Sequence, residues 1–299
     1  LIGQEHQGLA CMFTMMNNAR LAVGVEGIGI AQDAYQKAYA YGLERKQGQN
    51  FSGDRNVPII EHPDVKNMLL TMQANIQAVR GLSYFTAFLM DLSVDETDDE
   101  KKQQYQNTIN LLIPVVKSHS TELGFELSST AMQIFGGAGY IEETGIAQNL
   151  RDARIAMIYE GTNGIQALDL VMRKIRVSKG VFLDDFFSLM APYMDEAGIK
   201  MPDVLVGAKD EIEMAIKSLK EATKLIIVMP PEEAAGVATV YLRLFSVIAA
   251  GMMSYSMALK SVKCDNQAFC QDKLTTMSFY IRHILPAYLG FERVIGLKK

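Results

Sequence analysis

The chain has 299 residues, 49% of them hydrophobic and 21% charged, enough apolar material for a sizeable buried core and, by length, for about two domains. Its 29 Lys and Arg against 34 Asp and Glu give a net charge of -5, with the basic residues scattered singly, so nothing marks a nucleic-acid or anionic-membrane partner. The longest apolar stretches, "LIIVM" (225–229) and "LFSVIAAGMM" (244–253), fall short of the ~18 consecutive apolar residues of a membrane span.

The chain opens on "LIGQEHQGLACMF", with neither an initiator Met nor a signal-peptide pattern, which reads as a start inside a longer polypeptide. Residues 10–46 place Met12, Met15, Met16, Ala19, Val23, Ile28, Ala31, Tyr35 and Ala38 at mostly three- and four-residue intervals, predicting a long amphipathic helix. Gly24, Gly27 and Gly29 each cost up to ~1 kcal/mol there relative to Ala, so something packs close: another helix, or a ligand along that face. "QGQNFSGDRNVPIIEHP" reads as a loop, and a second helix follows over 64–91. A third is predicted near 98–118, kinked or broken by Pro114, and a fourth over 118–135, ending at "GGAGY".

Beyond "RKIRVSKG" the pattern resumes with helices near 181–197, 204–227, 232–262 and 266–289, punctuated by Pro230-Pro231. No run alternates for long enough to compete as strand. The fold class is therefore all-α, a four-helix up-down bundle over 1–177 followed by a helical bundle-like extension over 178–299. Met252, Met253, Met257, Tyr255, Phe269, Phe279 and Tyr280 of the extension read as core. Cys11, Cys264 and Cys270 lack CxxC spacing and the four histidines lack ligand spacing, so they read as reduced structural cysteines and ordinary histidines, with no metal site.

The segment "AMIYEGTNGIQALDL" (156–170) sets Glu160 between an apolar run and a Gly-Thr-Asn-Gly turn leading into a helix. A carboxylate beside a helix N-terminus has an ordinary explanation in the helix dipole, worth ~0.3–1 kcal/mol. Spacing alone leaves that reading and a catalytic one both open.

The wording narrows the choice. "IYEGTNGIQ" resembles the surroundings of the catalytic glutamate of the acyl-CoA dehydrogenases, and "AMQIFGGAGYIEETGIAQNLRDARIAMIYEGTNGIQALDL" is similar to that family throughout. "NNARLAVGVEGIGIAQDAYQKAYAYGLERKQG" resembles the first long helix of the family's C-terminal bundle, so the likeness covers roughly residues 1–175. "PIIEHPDVKNMLLTMQANIQAVRGL" and the helical extension resemble the longer-chain branch that includes methylthiopropanoyl-CoA dehydrogenases. In such enzymes a helical domain and a β-domain precede the bundle, and neither is seen in this sequence.

The resemblance implies α,β-dehydrogenation of an acyl-CoA thioester to the 2-enoyl-CoA with FAD as cofactor, Glu160 acting as the base. It places Arg20, Asn17, Tyr159 and Gly161 at the substrate, and Arg45, Gln133, Gly136, Gly137 and Thr162 at the cofactor, part of it belonging to a neighbouring subunit. Some members carry the base directly before the arginine of the first helix; that position is Ala19 here, so Glu160 has no rival. The sequence departs from the family at "ERKQGQNFSG", which lacks the usual Phe-Gly, at Pro63, where a glutamine is common, and at Gly164, where many relatives carry a larger polar residue. Also implied are an electron-transfer flavoprotein as acceptor, a homodimer or homotetramer, a cytoplasmic location and short to medium acyl chains, thioethers included. The alternatives are a non-catalytic helical assembly module and an acyl-CoA oxidase using oxygen.

Overall fold

The chain is known from a computed structural model, which describes residues 3–296 and, within them, all side chains but those of residues 10, 13 and 14. The helical period at the start of the sequence runs unbroken through α1 (Gly8–Glu44), whose 37 residues span about 55 Å. A loop with two isolated antiparallel bridges, Lys46 with Pro58 and Gln49 with Arg55, leads to α2 (Pro63–Asp95). Proline suits the first turn of α2, where its missing N–H has no acceptor to satisfy. Asp98 caps α3 (Asp99–Phe135), accepting from the backbone N–H groups of Glu100 at 3.0 Å and Lys101 at 3.1 Å.

Here the structure corrects the sequence-based expectation: the predicted third and fourth helices are one, and Pro114 lies inside it. An interior proline costs about 3 kcal/mol. Leu111, Leu112, Ile113, Val115 and Val116 around it are each at most 1% exposed, and burying one such side chain is worth about 1.5–3 kcal/mol, so packing holds the helix through the proline. Gly136, at φ 61°, terminates α3 with a backbone that glycine adopts freely.

The fourth layer of the bundle comes after two short 3-10 turns, from α4 (Ile146–Ala156) and α5 (Asn163–Leu168). The latter continues through a wider π-helical segment, Asp169–Ile175, into α6 (Arg176–Ser178). The extension comprises α7 (Val181–Met190), α8 (Ala208–Val228), α9 (Pro231–Gly236), α10 (Ala238–Ser261), α11 (Gln267–Phe279) and α12 (Tyr288–Ile295). The helix predicted over 232–262 is interrupted at Val237, and that predicted over 266–289 passes through a π-helical turn, Tyr280–Ile284, and reaches Ile295. Among the described residues there is no strand beyond the two bridges.

One apolar core runs from the bundle into the extension, joining Leu82 and Phe85 of α2 and Leu112 and Val116 of α3 to Phe186, Leu219, Phe245, Met252 and Met277. A smaller one lies between Ile28, Ala31 and Ala38 of α1, Met72 and Ile76 of α2, and Leu127 and Ile134 of α3. By length and composition α10 could cross a membrane, which a count of strictly consecutive apolar residues overlooks; 89% of its most apolar window is buried inside the protein. Of the aromatics read as core in the extension, Tyr255 and Tyr280 are buried and Phe269 is 58% exposed. Arg176 Nη1 donates to the Ile226 and Met229 carbonyls, both at 2.6 Å, closing the end of α8. Cys264 and Cys270 are not separate thiols as the sequence suggested: the turn between α10 and α11 brings them into a disulfide, with Cα atoms 6.2 Å apart. Cys11 is free.

The glycines of α1 have two different explanations. A Cβ on Gly27 would lie 2.6 Å from the Ser120 carbonyl oxygen, one on Gly124 2.9 Å from the Gly27 oxygen, and one on Gly24 2.9 Å from Val116 Cγ1. The backbones of α1 and α3 therefore touch at these glycines, whereas a Cβ on Gly29 would enter open space. Gly27→Ala is expected to lower stability by about 1–3 kcal/mol through overpacking, and Gly29→Ala to leave it unchanged or raise it by up to ~1 kcal/mol. Urea denaturation of the two variants checks the pair.

Candidate active site

The turn carrying Glu160 is built by local bonds. α4 ends at Ala156, and the N–H groups of Ile158 and Tyr159 both return to the Ile155 carbonyl, at 2.9 and 3.1 Å. The chain then takes two consecutive left-handed residues, Glu160 at φ 56° and Gly161 at φ 87°. For a residue with a Cβ that conformation costs roughly 1–2 kcal/mol, so surrounding bonds must hold Glu160 in it. Thr162 caps α5 by accepting from Ile165 N–H at 3.3 Å, and Asn163 N–H closes the turn on the Met157 carbonyl at 3.1 Å.

Those bonds come from below. The Glu160 carbonyl accepts from Arg20 Nε of α1 at 3.3 Å and Gln166 Nε2 at 3.4 Å. The Gly161 carbonyl accepts from Lys117 Nζ of α3 at 3.0 Å and from the same Gln166 amide at 3.1 Å. Lys117 is 0% exposed and also donates to Asn163 Oδ1 at 3.1 Å. Burial, and secondarily the charge of Arg20, push its pKa down to about 8. Arg20 is buried as well, with Nη1 3.9 Å from Asp169 Oδ2, and Asp169 is shared with Arg173 at 3.8 Å.

In a planar trans peptide the C=O and the following N–H point in opposite directions. With both carbonyls turned into the bundle, the N–H groups of Gly161 and Thr162 face the other way. They and Glu160 N–H have no backbone acceptor among the described residues. Glu160 Oε2 is itself buried and has no hydrogen-bond partner among the described residues. Thr162, not Glu160, supplies the side-chain cap of α5. Beside it, Tyr159 Oη donates to Glu26 Oε2 of α1, and burial first, then that bond, pushes the phenol up to about 12.

Of the residues singled out in the sequence, Glu160, Gly161, Tyr159, Thr162 and Arg20 come together at this turn. Asn17 lies on α1 one turn before Arg20, half-buried. Arg45, Gln133, Gly136 and Gly137 form a second group at the far end of the bundle, where Tyr41 of α1 stacks on Phe135 of α3 with ring centroids 4.2 Å apart. All four are exposed, and a Cβ on either glycine would meet nothing within 4 Å. From Lys117 to Phe135 is about 27 Å of helix, so the two groups do not line one pocket in one chain. The sequence reading missed Lys117, Asn163, Gln166, Glu26 and Asp169; the one available signal was a lysine inside the apolar run "LLIPVVKSHS".

Residues 6–175, more than half of the chain, match the family described as acyl-CoA dehydrogenase, C-terminal domain. The chain belongs to the acyl-CoA dehydrogenases. Residues 186–296 match a second family, described as acetyl-CoA dehydrogenase C-terminal like. It is 47% identical over 177 residues to a 3-methylmercaptopropionyl-CoA dehydrogenase of Ruegeria pomeroyi, covering 58% of this chain and 30% of that one. A butyryl-CoA dehydrogenase of Syntrophomonas wolfei is 31% identical over 303 residues, covering 95% of this chain and 48% of that one. The fold is shared with an acyl-CoA dehydrogenase from Bacillus anthracis solved with FAD, at a TM-score of 0.76 and 20% identity over 98% of this chain and 50% of that one. The chain thus spans about half or less of the length of these relatives.

Asn163 is 8% exposed, and besides Lys117 it bonds the Ser118 carbonyl at 3.3 Å and Thr121 Oγ1 at 3.1 Å. Asn163→Ala takes an acceptor from a buried ammonium, and a loss of about 1.5–3 kcal/mol is expected. Chemical denaturation against the unsubstituted protein measures it.

Proposed function

We propose that the protein bearing this chain is a flavin-dependent acyl-CoA dehydrogenase that converts an acyl-CoA thioester to the 2-enoyl-CoA, with Glu160 as the base that removes the α-proton. The observation carrying this reading is the Glu160 turn: a carboxylate with one buried, unpaired oxygen, on a left-handed backbone held by Arg20, Lys117 and Gln166. A helix-capping acid needs none of that apparatus. A base does, because proton abstraction at carbon depends on a carboxylate that is aimed and poorly solvated.

The reaction also needs donors aimed at the thioester oxygen as enolate character develops. The N–H groups of Gly161 and Thr162, turned away from the bundle, and that of Glu160, without a backbone acceptor among the described residues, are available for that task. A Cβ on Gly161 would lie 2.9 Å from Gln166 Nε2, so glycine lets that amide close on the turn; Tyr159, tied to Glu26, and Arg20 wall the turn.

The second group suits the anionic half of FAD: Arg45 supplies an exposed guanidinium, Gln133 an amide, and Gly136-Gly137 an open backbone approach of the kind that binds pyrophosphate. FAD, when bound, supplies the hydride acceptor. Because about 27 Å of helix separates the two groups, we assign them to different cofactors in an oligomer, Gly136-Gly137 and Arg45 serving a neighbour. Thr162, at the base turn, serves the chain's own site.

The same reading includes an electron-transfer flavoprotein as acceptor, a cytoplasmic location and a homodimer or homotetramer. Short to medium acyl chains, thioether-containing ones among them, are the proposed substrates, in keeping with the relative that is 47% identical. Residues 1–177 are proposed as the catalytic bundle and 178–299 as an extension, which accords with separate family matches over 6–175 and 186–296.

Anaerobic visible spectra of the complete protein, titrated with acyl-CoAs of increasing chain length, test this. The flavin of the unsubstituted protein is expected to bleach with one class of chain. Glu160→Gln is expected to keep its flavin and lose at least ~10²-fold in bleaching rate. A variant that bleaches at the unsubstituted rate would refute the role of Glu160; bleaching followed by oxygen consumption without another acceptor would mark an oxidase.

A further inference from the structure

Lys117 is the least expected charge in the molecule. It sits in the middle of α3, 0% exposed, among Val115, Val116 and Ser118, and among the described residues no carboxylate lies within ion-pair distance of it. A lysine buried for stability alone would have an acid beside it, because an uncompensated buried ammonium is strongly unfavourable. Its acceptors are instead the Gly161 carbonyl at 3.0 Å and Asn163 Oδ1 at 3.1 Å, both within three residues of Glu160.

The charges around the turn can be assigned element by element. From α1 come Arg20 and Glu26; from the segment after α5, Asp169, with Arg173 on its exposed side; from the turn itself, Tyr159 and Glu160. His119, two residues beyond Lys117, faces a different cleft with Asn75, Arg243 and Phe291. Asp169 offsets Arg20 at 3.9 Å, and Glu26 accepts from Tyr159. Among the described residues Glu160 is the one carboxylate with an unpaired buried oxygen, and it and Glu26 are the acids whose charge reaches Lys117.

We infer that Lys117 is a positioning residue for the base: its ammonium fixes the Gly161 peptide plane, which aims Glu160. This rests on the dehydrogenase reading above. The burial that makes Lys117 a weaker base still leaves it mostly protonated at pH 7, since its pKa is pushed only to about 8.

Two variants of the complete flavoprotein test this. Lys117→Met keeps the shape and removes the hydrogen bonds; Lys117→Gln keeps a donor. Anaerobic flavin bleaching is expected to slow by about tenfold in Lys117→Met and to be largely restored in Lys117→Gln. Acyl-CoA affinity is expected to stay within about twofold, because the substrate does not touch Lys117. Amide hydrogen exchange, which needs no turnover, is expected to speed up over residues 157–165 in Lys117→Met and to be largely restored in Lys117→Gln, with 105–112 and 123–132 unchanged.

Unchanged bleaching together with unchanged exchange at 157–165 in Lys117→Met would overturn the inference. So would faster exchange along all of α3 with acyl-CoA affinity lost in step with the rate, which is what a purely structural lysine gives. If Lys117→Met fails to fold, Lys117→Leu takes its place with the same expected and overturning results. If the unsubstituted protein bleaches with no acyl-CoA, the dehydrogenase reading falls, and the exchange measurement still reports whether Lys117 holds the turn.

Discussion

The close approach of α1 and α3 at Gly24, Gly27 and Gly124 is the contact on which the site depends. These helices run parallel in an up-down bundle, and at the glycines their backbones approach with no side chain between them. Arg20 and Lys117 each lie two turns, about 10 Å, before the glycine contact on their own helix, Gly27 in one case and Gly124 in the other. The contact therefore sets them side by side at one level. Each grips one carbonyl of the same peptide unit pair, and the Glu160 turn is held over both. Glycine in mid-helix costs up to ~1 kcal/mol, and a larger residue would separate the two cations from the one loop they share.

The electrostatic arrangement beneath the turn is unusual for a protein interior. Buried cations ordinarily meet carboxylates; here Lys117 meets the Gly161 carbonyl and the Asn163 amide oxygen, Arg20 divides itself between the Glu160 carbonyl and Asp169, and the Glu160 carboxylate is left with a buried oxygen unpaired. Had either cation paired directly with Glu160, the carboxylate would be a satisfied structural group, poor at accepting a proton from carbon. Carbonyl ligation gives the turn its rigidity while leaving the acid free, and Asp169 and Glu26 keep the local charge from becoming excessive.

What could be read from the sequence divides along physical lines. Glu160 could be singled out because the wording of its Glu-Gly-Thr-Asn-Gly turn resembles a known family, whereas the left-handed backbone at Glu160 and Gly161 shows only in the structure. Lys117 was not, because a single lysine in a helical run looks the same whether its tip reaches solvent or a loop some 44 residues further on. Pro114 was misread because its local cost is visible in sequence and the burial of its neighbours is not. The glycines of α1 announced a close contact, and only the structure distinguished Gly24 and Gly27, which touch α3, from Gly29, which touches nothing. Cys264 and Cys270 pair because of a turn between two helices, which their spacing does not reveal. The separation of the two groups of candidate residues, by about 27 Å of helix, was likewise invisible in a list of motifs.

The unbroken course of α3 through Pro114 has an evolutionary consequence. One rod carries Asn107, which donates to Asp185 of the extension, Lys117 beneath the base, Gly124 against α1, and Phe135 at the glycine turn. Losing or gaining a single residue between them would rotate everything downstream by about 100° and shift it about 1.5 Å, so no one of these contacts could survive without losing another. Length variation among descendants of this chain should accordingly be confined to the loops after α1 and between α7 and α8, with the span from 107 to 135 inherited as a fixed ruler.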